Sequence, residues 1–442
     1  MTSAIHNRFL QASFFGIALL FFSSCCKDKD PSPPTNFNRC DTLRPVVFVH
    51  GFLASGDTWA TQVMRFTSNG YCNEKLFAFD WNTLGGGDNT TLLNAFIDSV
   101  LAKTGATKID LVGHSAGGGL GYGYCEDSTR AKKIAHYVHV ASSSQTSPAG
   151  SSDEVPTLNI SSADDAVTGN TTITGATNVS LTGTDHYQVG TCSETFVELY
   201  KFFNGGLAPT TSSITPETEI TVSGKAVTLG ENAAINGGTI NIYEVNPDNG
   251  SRKNSSPDYT LTTNAKGEWG PQSIKVNTRY EFEISSNISG ERKIHYYREE
   301  FTRTNPLVYL RTVPPPSTLA GTLLASLPDD DNQTVIAEFT SNQAVVSGRD
   351  SLIVDNTVLS TSAITPASAT VIAMFLYDDN NNQTTDLTKP FVFSFLTQFL
   401  TARDMYFQTS TPYAIPIRFN GRTLYVPNLK SHTDGVIVAV FD

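Results

Sequence analysis

The chain has 442 residues, 39% of them hydrophobic, 16% charged, with a formal net charge of −12. That length exceeds one ordinary core and points to two or three domains. The acidic balance runs through the whole chain with no basic patch to meet a phosphate backbone, which sets nucleic acid aside as a partner.

Residues 1–24 carry Arg8 and an apolar run from Phe9 to Phe22, too short to span a bilayer but right for the core of a signal peptide. Ser23-Ser24 before Cys25 resembles a bacterial lipobox, which makes Cys25 the expected acylation site and the membrane, through that anchor, an expected partner. Lys27-Asp28-Lys29-Asp30 leads into Pro31–Pro34, so residues 25–40 read as a tether. Lys27–Asp30 also resembles the short charged signal that sends some Gram-negative lipoproteins to the cell surface, and with the lipobox resemblance this implies an exported lipoprotein of the outer membrane or cell surface. Export makes the other cysteines disulfide candidates, and Cys40–Cys72 and Cys125–Cys192 are the expected pairs among three connectivities. Their spacing fits no metal site.

Residues 41–205 alternate strand and helix patterns, the mark of a mostly parallel sheet covered on both faces. Strands are expected at Pro45–His50, Leu76–Asp80, Ile109–Val112, Ile134–Val140, Thr157–Ile160 and Asn178–Leu181. A helix is expected from near Thr58, and Leu92, Leu93, Phe96, Ile97, Val100 and Leu101 form the apolar face of another. Gly113-His114-Ser115-Ala116-Gly117 follows the third strand. A serine hydroxyl needs presentation clear of the sheet beside a base and oxyanion donors, and a sharp strand-to-helix turn supplies this. The following helix carries Gly117, Gly118, Gly119, Gly121 and Gly123, read as permitting close approach of helix to sheet.

Asn204–Glu219 is linker-like, with residues 206–219 the expected linker proper. Residues 220–313 show alternating strand patterns at Thr239–Val245, Tyr259–Thr263, Tyr280–Ser285, Lys293–Tyr297 and Leu307–Val313, the outline of a small β-sandwich. Pro314–Pro316 marks a second boundary. Residues 314–442 are again all-β, with Asn420-Gly421 as a type I′ hairpin turn. Phe391, Phe393 and Phe395 alternate in a stretch read as sandwich core, with lipid contact as the functional alternative. Asp378 to Asp386 places oxygen ligands at alternating positions. It lacks the loop glycine and terminal glutamate of an EF-hand and reads as a polar hairpin tip rather than a calcium site.

Of eight histidines, His6 lies in the leader, His50 and His114 flank motifs, His136 and His139 fall too early, and His295 and His432 belong to the β regions. His186 remains, in a loop after the last α/β strand, as candidate base. Asp164 and Asp165 both follow the Thr157–Ile160 strand and only one can face His186; Asp185 is adjacent to His186 and a poorer candidate. His50-Gly51-Phe52 follows the first strand as a donor loop, so the N–H groups of Phe52 and Ala116 are the candidate oxyanion hole.

Together, FVHGF at 48–52, VGHSAGG at 112–118, SSAD at 161–164 and GTDH at 183–186 resemble the small bacterial triacylglycerol lipases of the α/β-hydrolase superfamily. The resemblance covers residues 41–205. It implies Ser115 as nucleophile, Asp164 as acid, His186 as base, and Phe52 and Ala116 as donors. It implies a lipid or ester substrate, most simply an acylglycerol, and neither metal nor organic cofactor. Ala116 departs from the methionine or glutamine of many such lipases, and no insertion of lid size interrupts the region. A hydrolase followed by β regions is also similar to lipases with a C-terminal lipid-binding domain. The same triad serves short-chain esterases and polyester depolymerases. A different rival is a surface binding lipoprotein whose β regions carry the main role.

Overall fold

The computed structural model describes residues 39–288, 290–313, 317–395 and 398–442. The expected signal peptide, Cys25, the tether up to residue 38 and the Pro314–Pro316 boundary lie outside the described residues. Six strands form one parallel sheet: β1 (Val46–Val49), β2 (Leu76–Phe79), β3 (Ile109–His114), β4 (Ile134–Val140), β5 (Thr157–Ser162) and β6 (Thr177–Leu181). Their order is β2-β1-β3-β4-β5-β6. In β1 all four residues are buried, as a strand covered on both faces requires. Val46 and Phe48 face a layer containing helices Ala60–Ser68 and Ser193–Phe203. Val47 and Val49 face the opposite layer, with Asn89–Thr104 and Ala116–Cys125.

These layers decide the cysteines. Cys40 and Cys72 pair, with Cα atoms 5.8 Å apart. Cys125 and Cys192, expected as a pair, are free. Cys125 is buried in the layer of the elbow helix, while Cys192 opens helix Ser193–Phe203 across the sheet, its carbonyl accepting from Gln62. No rotamer bridges that gap.

Beyond residue 219 the described residues form three β-sheets. The largest has eight strands, in the order Leu400–Asp404, Ala373–Tyr377, Ile336–Thr340, Val436–Phe441, Ile294–Arg298, Tyr280–Ser285, Thr239–Glu244 and Tyr259–Thr262. Residues before and after the triproline thus share one sheet, joined by parallel pairing of Ile294–Arg298 with Val436–Phe441. One face of it packs on an apolar cluster with the three-stranded sheet, the other on a second cluster with the four-stranded sheet. Asn420 (φ 47°) and Gly421 (φ 82°) close the hairpin of Ile415–Phe419 and Arg422–Val426 as a type I′ turn does.

Within residues 220–313 two strands escaped the sequence pattern, Ile220–Thr228 and Glu268–Ile274. Gly224 sits mid-strand because a Cβ there would lie 1.9 Å from the Val308 carbonyl oxygen. Phe391–Phe395 is a 3₁₀ turn, not an alternating strand. Phe393 is fully buried, whereas Phe391 is 79% exposed; the Phe395 side chain lies outside the description.

The β region docks on the loops after β1 and β2. Arg311 meets Asp57 at 2.6 Å, and Lys225 and Tyr309 meet Asp80 at 2.5 and 2.8 Å. Asp80 Oδ1 in turn accepts from Gly56 N at 2.8 Å. Asn232 Nδ2 donates to the carbonyls of Ala54 and Trp81. No helix among the described residues is long and apolar enough to cross a membrane.

Candidate active site

Ser115 caps the helix Ala116–Cys125 with φ 53° and ψ −124°, a conformation that a non-glycine residue adopts only when its surroundings hold it there. What holds it is backbone against backbone. A Cβ on Gly117 would lie 2.3 Å from His50 O, and one on Gly113 2.4 Å from Gly117 O. Ser115 N donates to Val140 O, and Ser142 Oγ donates to Ser115 O at 2.7 Å. The remaining glycines of this helix divide. Gly118 and Gly121 face Ser142 and Tyr137 with no room for a Cβ, while Gly119 and Gly123 face open space, so close approach explains three of the five glycines.

His186 Nε2 lies 2.9 Å from Ser115 Oγ, and its Nδ1 lies 2.9 Å from Asp165 Oδ2. The imidazole is 2% exposed. The neighbour of His186 is therefore Asp165, not Asp164, which corrects the expectation carried by SSAD. Asp165 is 4% exposed. Its Oδ1 accepts from Val167 N and Thr168 N, and its Oδ2 also accepts from Thr168 Oγ1. Burial alone would raise its pKa, but the His186 hydrogen bond and charge, aided by Thr168 and Val167, hold it below the ordinary carboxylate range. Asp164 points outward and accepts from Gly183 N at 2.6 Å. Asp185 serves neither role: its Oδ1 accepts from Tyr187 N and Gln188 N, and its Oδ2 from Ala344 N.

Ala116 N–H opens the elbow helix and so lacks an intrahelical acceptor. Phe52 stands in the loop that closes over Ser115, where a Cβ on Gly51 would come 3.0 Å from Ser115 Cβ. His50 is fully buried; its Nδ1 donates to Gly51 O and its Nε2 accepts from Trp81 N, so it shapes this loop. Burial pushes its pKa down. His114 Nε2 donates to the His186 carbonyl at 2.8 Å, and burial, reinforced by the His186 charge, lowers its pKa to about 3, so it stays neutral.

Three elements of the site carry no sequence signal. Phe399 lies with its ring centre 6.0 Å from His186 and 6.4 Å from Phe52, covering both from the β region. Arg349 Nη2 lies 2.8 Å from Asp185 Oδ2, and Arg349 Nη1 donates to Gln188 Oε1, so the β region grips the turn carrying His186. A largely apolar, enclosed cavity reaches Leu53 and Tyr187, the neighbours of Phe52 and His186, and runs between the layers past Leu229, Ala320, Leu323 and Leu400. Among metal-ligating clusters, Glu281, Glu283 and His295 converge at one spot. Arg252 already bridges both carboxylates there and stacks on Tyr243 at 3.6 Å, filling the cation's place.

The arrangement can deprotonate a serine at neutral pH and meet the resulting oxyanion at a helix N-terminus. The family model described as lipase (class 2) matches residues 43–152, and that of the lipase C-terminal domain matches residues 218–315. A further C-terminal domain model matches residues 334–442. Among solved structures, a CIB-like hydrolase from Thermoplasma acidophilum is 19% identical, covers 39% of this chain and 89% of its own, and has a TM-score of 0.29. Naproxen esterase from Bacillus subtilis is 11% identical over 37% of this chain and 84% of its own, with a TM-score of 0.29. A lipase from Bacillus licheniformis is 13% identical over 37% and 89%, also at 0.29.

Proposed function

We propose, on the premise that the chain belongs to the lipases of the α/β-hydrolase superfamily that carry C-terminal domains and is a carboxylic ester hydrolase, that it cleaves acylglycerols through Ser115, His186 and Asp165. The observation that carries this reading is the hydrogen-bonded chain from Ser115 Oγ through His186 to Asp165. Ser115 Oγ attacks the ester carbonyl as its proton passes to His186 Nε2. Asp165 fixes the tautomer with Nδ1–H and stabilises the imidazolium. The N–H groups of Phe52 and Ala116 meet the tetrahedral oxyanion, each such donor contributing roughly 2.7 to 4 kcal/mol. Collapse breaks the bond to the alkoxy oxygen, which takes the proton from Nε2 and leaves as the alcohol. Water, deprotonated by the same nitrogen, then frees the fatty acid.

The acyl chain is assigned to this cavity because most of its wall is apolar and Leu53 and Tyr187, one position along the chain from Phe52 and His186, line it, with Asp57, Arg298 and Arg311 as its charged lining. The test is hydrolysis resolved by chain length, from soluble short-chain esters to a long-chain triglyceride emulsion, for the wild type, Ser115→Ala and Ala320→Phe. Ser115→Ala should abolish turnover on every ester. Ala320→Phe, which narrows the cavity, should lower long-chain rates by roughly tenfold or more while sparing short chains. Activity confined to short soluble esters would make the protein an esterase, and turnover independent of Ser115 would end the triad reading. Export with an acylated Cys25 is part of the same proposal, supported by the apolar run before it and by the Cys40–Cys72 pairing. Release of a Cys25→Ala variant from the membrane fraction is the expected result.

A further inference from the structure

The hairpin that follows strand Ile220–Thr228 reaches out of the β region onto the hydrolase loops. Its tip is fixed locally: Asn232 N donates to Thr228 O, Thr228 N to Ala233 O and Ile235 N to Ala226 O. Asn232 has φ 56°, a left-handed conformation that asparagine adopts more readily than most residues. The tip sits close, since a Cβ on Gly230 would lie 2.8 Å from Leu84 Cδ1 and 3.5 Å from Leu53 Cδ2. From there the Asn232 amide nitrogen meets three atoms of the hydrolase loops, Ala54 O at 2.9 Å, Trp81 O at 3.0 Å and His50 Nε2 at 3.4 Å. Two of the three are carbonyl oxygens, which only accept, so the nitrogen and not the oxygen of the amide faces them.

These contacts fix the place of a proton. Trp81 N donates to His50 Nε2 at 3.3 Å, so that nitrogen carries a lone pair and the ring proton stands on Nδ1. Nδ1–H donates to Gly51 O at 2.9 Å, and Trp81 Nε1 donates to His50 O at 3.1 Å. Ala54 N reaches the same Gly51 O at 3.4 Å. Both groups that hold the Gly51 carbonyl, the His50 ring and the Ala54 backbone, therefore meet the one amide of Asn232. Gly51 O and Phe52 N–H belong to a single planar trans peptide and point in opposite directions. Fixing the carbonyl thus fixes the direction of the N–H.

We propose that Asn232 is a positioning residue for the oxyanion hole, acting through His50 and Ala54 to aim the Phe52 N–H. The proposal rests on the reading of Phe52 N–H as an oxyanion donor and extends it, because the donor is then set from the β region, by a residue 182 positions beyond His50 in the chain. Arg349 grips the turn of His186 from the same region, so base and oxyanion donor are each held by a β residue. Because Asn232 works through the donor, its effect falls on the transition state, where charge develops on the carbonyl oxygen, and not on the bound ester.

The test is steady-state hydrolysis of a soluble short-chain p-nitrophenyl ester by the full chain, with inhibition by phenylboronic acid measured beside it. Ser115 Oγ adds to boron as its proton passes to His186, and the tetrahedral adduct places an oxygen where the oxyanion would form. Asn232→Gly tolerates the left-handed backbone and removes the amide. It should lower kcat roughly tenfold to hundredfold with KM within about twofold, and weaken boronic acid binding by the same factor. A role in docking alone would lower the Tm and leave kcat and boronic acid affinity of the folded enzyme unchanged. His50→Asn, whose side-chain N–H can stand where Nδ1–H stands, should retain more kcat than His50→Gln, whose amide reaches the Nε2 position instead. Turnover that survives Ser115→Ala would remove the triad reading and this proposal with it. Turnover that depends on Ser115 but is unaltered in Asn232→Gly, or equal in His50→Asn and His50→Gln, would overturn this proposal alone.

Discussion

Glu338 lies mid-strand at the centre of the eight-stranded sheet, between Met374 and Ala439, and is fully buried with neither carboxylate oxygen hydrogen-bonded. Burial raises its pKa to about 8 from 4.5, against the opposing charge of Arg422. The folded state therefore keeps this group protonated at neutral pH. Its folded pKa exceeds the unfolded one, so the loss is absent below about pH 4.5 and grows until about pH 8. Each pH unit in that window costs about 1.4 kcal/mol, which amounts to about 3 kcal/mol at pH 7. Glu338→Gln removes the titration and keeps the shape. Urea unfolding of wild type and variant from pH 4.5 to pH 8 should show the variant gaining about 3 kcal/mol on the wild type by pH 7. Other carboxylates titrate in both proteins and cancel in the difference. Parallel pH profiles would refute the reasoning, and would mean that Glu338 finds a partner the fold does not display.

Asp165→Asn should lower kcat by about 10⁴, the penalty for a wrong tautomer, while Asp164→Asn should stay within a few-fold of wild type; the reverse ranking in steady-state kinetics would restore the SSAD assignment. Gly119→Ala and Gly123→Ala face open space and should each stabilise the elbow helix by about 1 kcal/mol, seen as a higher Tm. Gly117→Ala, with its Cβ on the His50 carbonyl, should yield no active soluble protein. Arg349→Ala should reduce kcat roughly tenfold with KM little changed, because it loosens the His186 turn without touching the substrate path, and an unaltered kcat would show that the turn holds itself.

The legible parts of this molecule are those where one periodicity dominates. β1 is a continuous apolar run and β3 an apolar run broken only by Asp110 before Gly113, and the elbow between β3 and its helix is a local device whose residues are contiguous. The choice between Asp164 and Asp165 was not legible. Neighbours at the end of β5 differ only in the direction they face, and the turn that aims Asp165 is set by its own bonds to Val167 and Thr168. Strand Ile220–Thr228 was hidden by Gly224, a breaker in the pattern whose reason lies some eighty residues on, at Val308. Phe399 and Arg349 had no signature at all, since their role exists only once distant β strands are folded against the hydrolase layers. The merging of both β regions into one sheet depends on pairing Ile294–Arg298 with Val436–Phe441, which no local pattern encodes.

That pairing also sets a timetable. A ribosome delivers the parallel sheet, the elbow and His186 first, and the strand pairings of that sheet lie within residues 46–181. The strand Val436–Phe441, which stitches the eight-stranded sheet through its middle, emerges long afterwards, and its long-range pairing is the slow kind. In the interval the nascent hydrolase holds its serine and histidine without Phe399 above them or Arg349 behind them. An ester hydrolase made in this order would gain its nucleophile early and its restraint late, so the moment at which it becomes a disciplined enzyme belongs to the closing of the β-sheet rather than to the assembly of the triad.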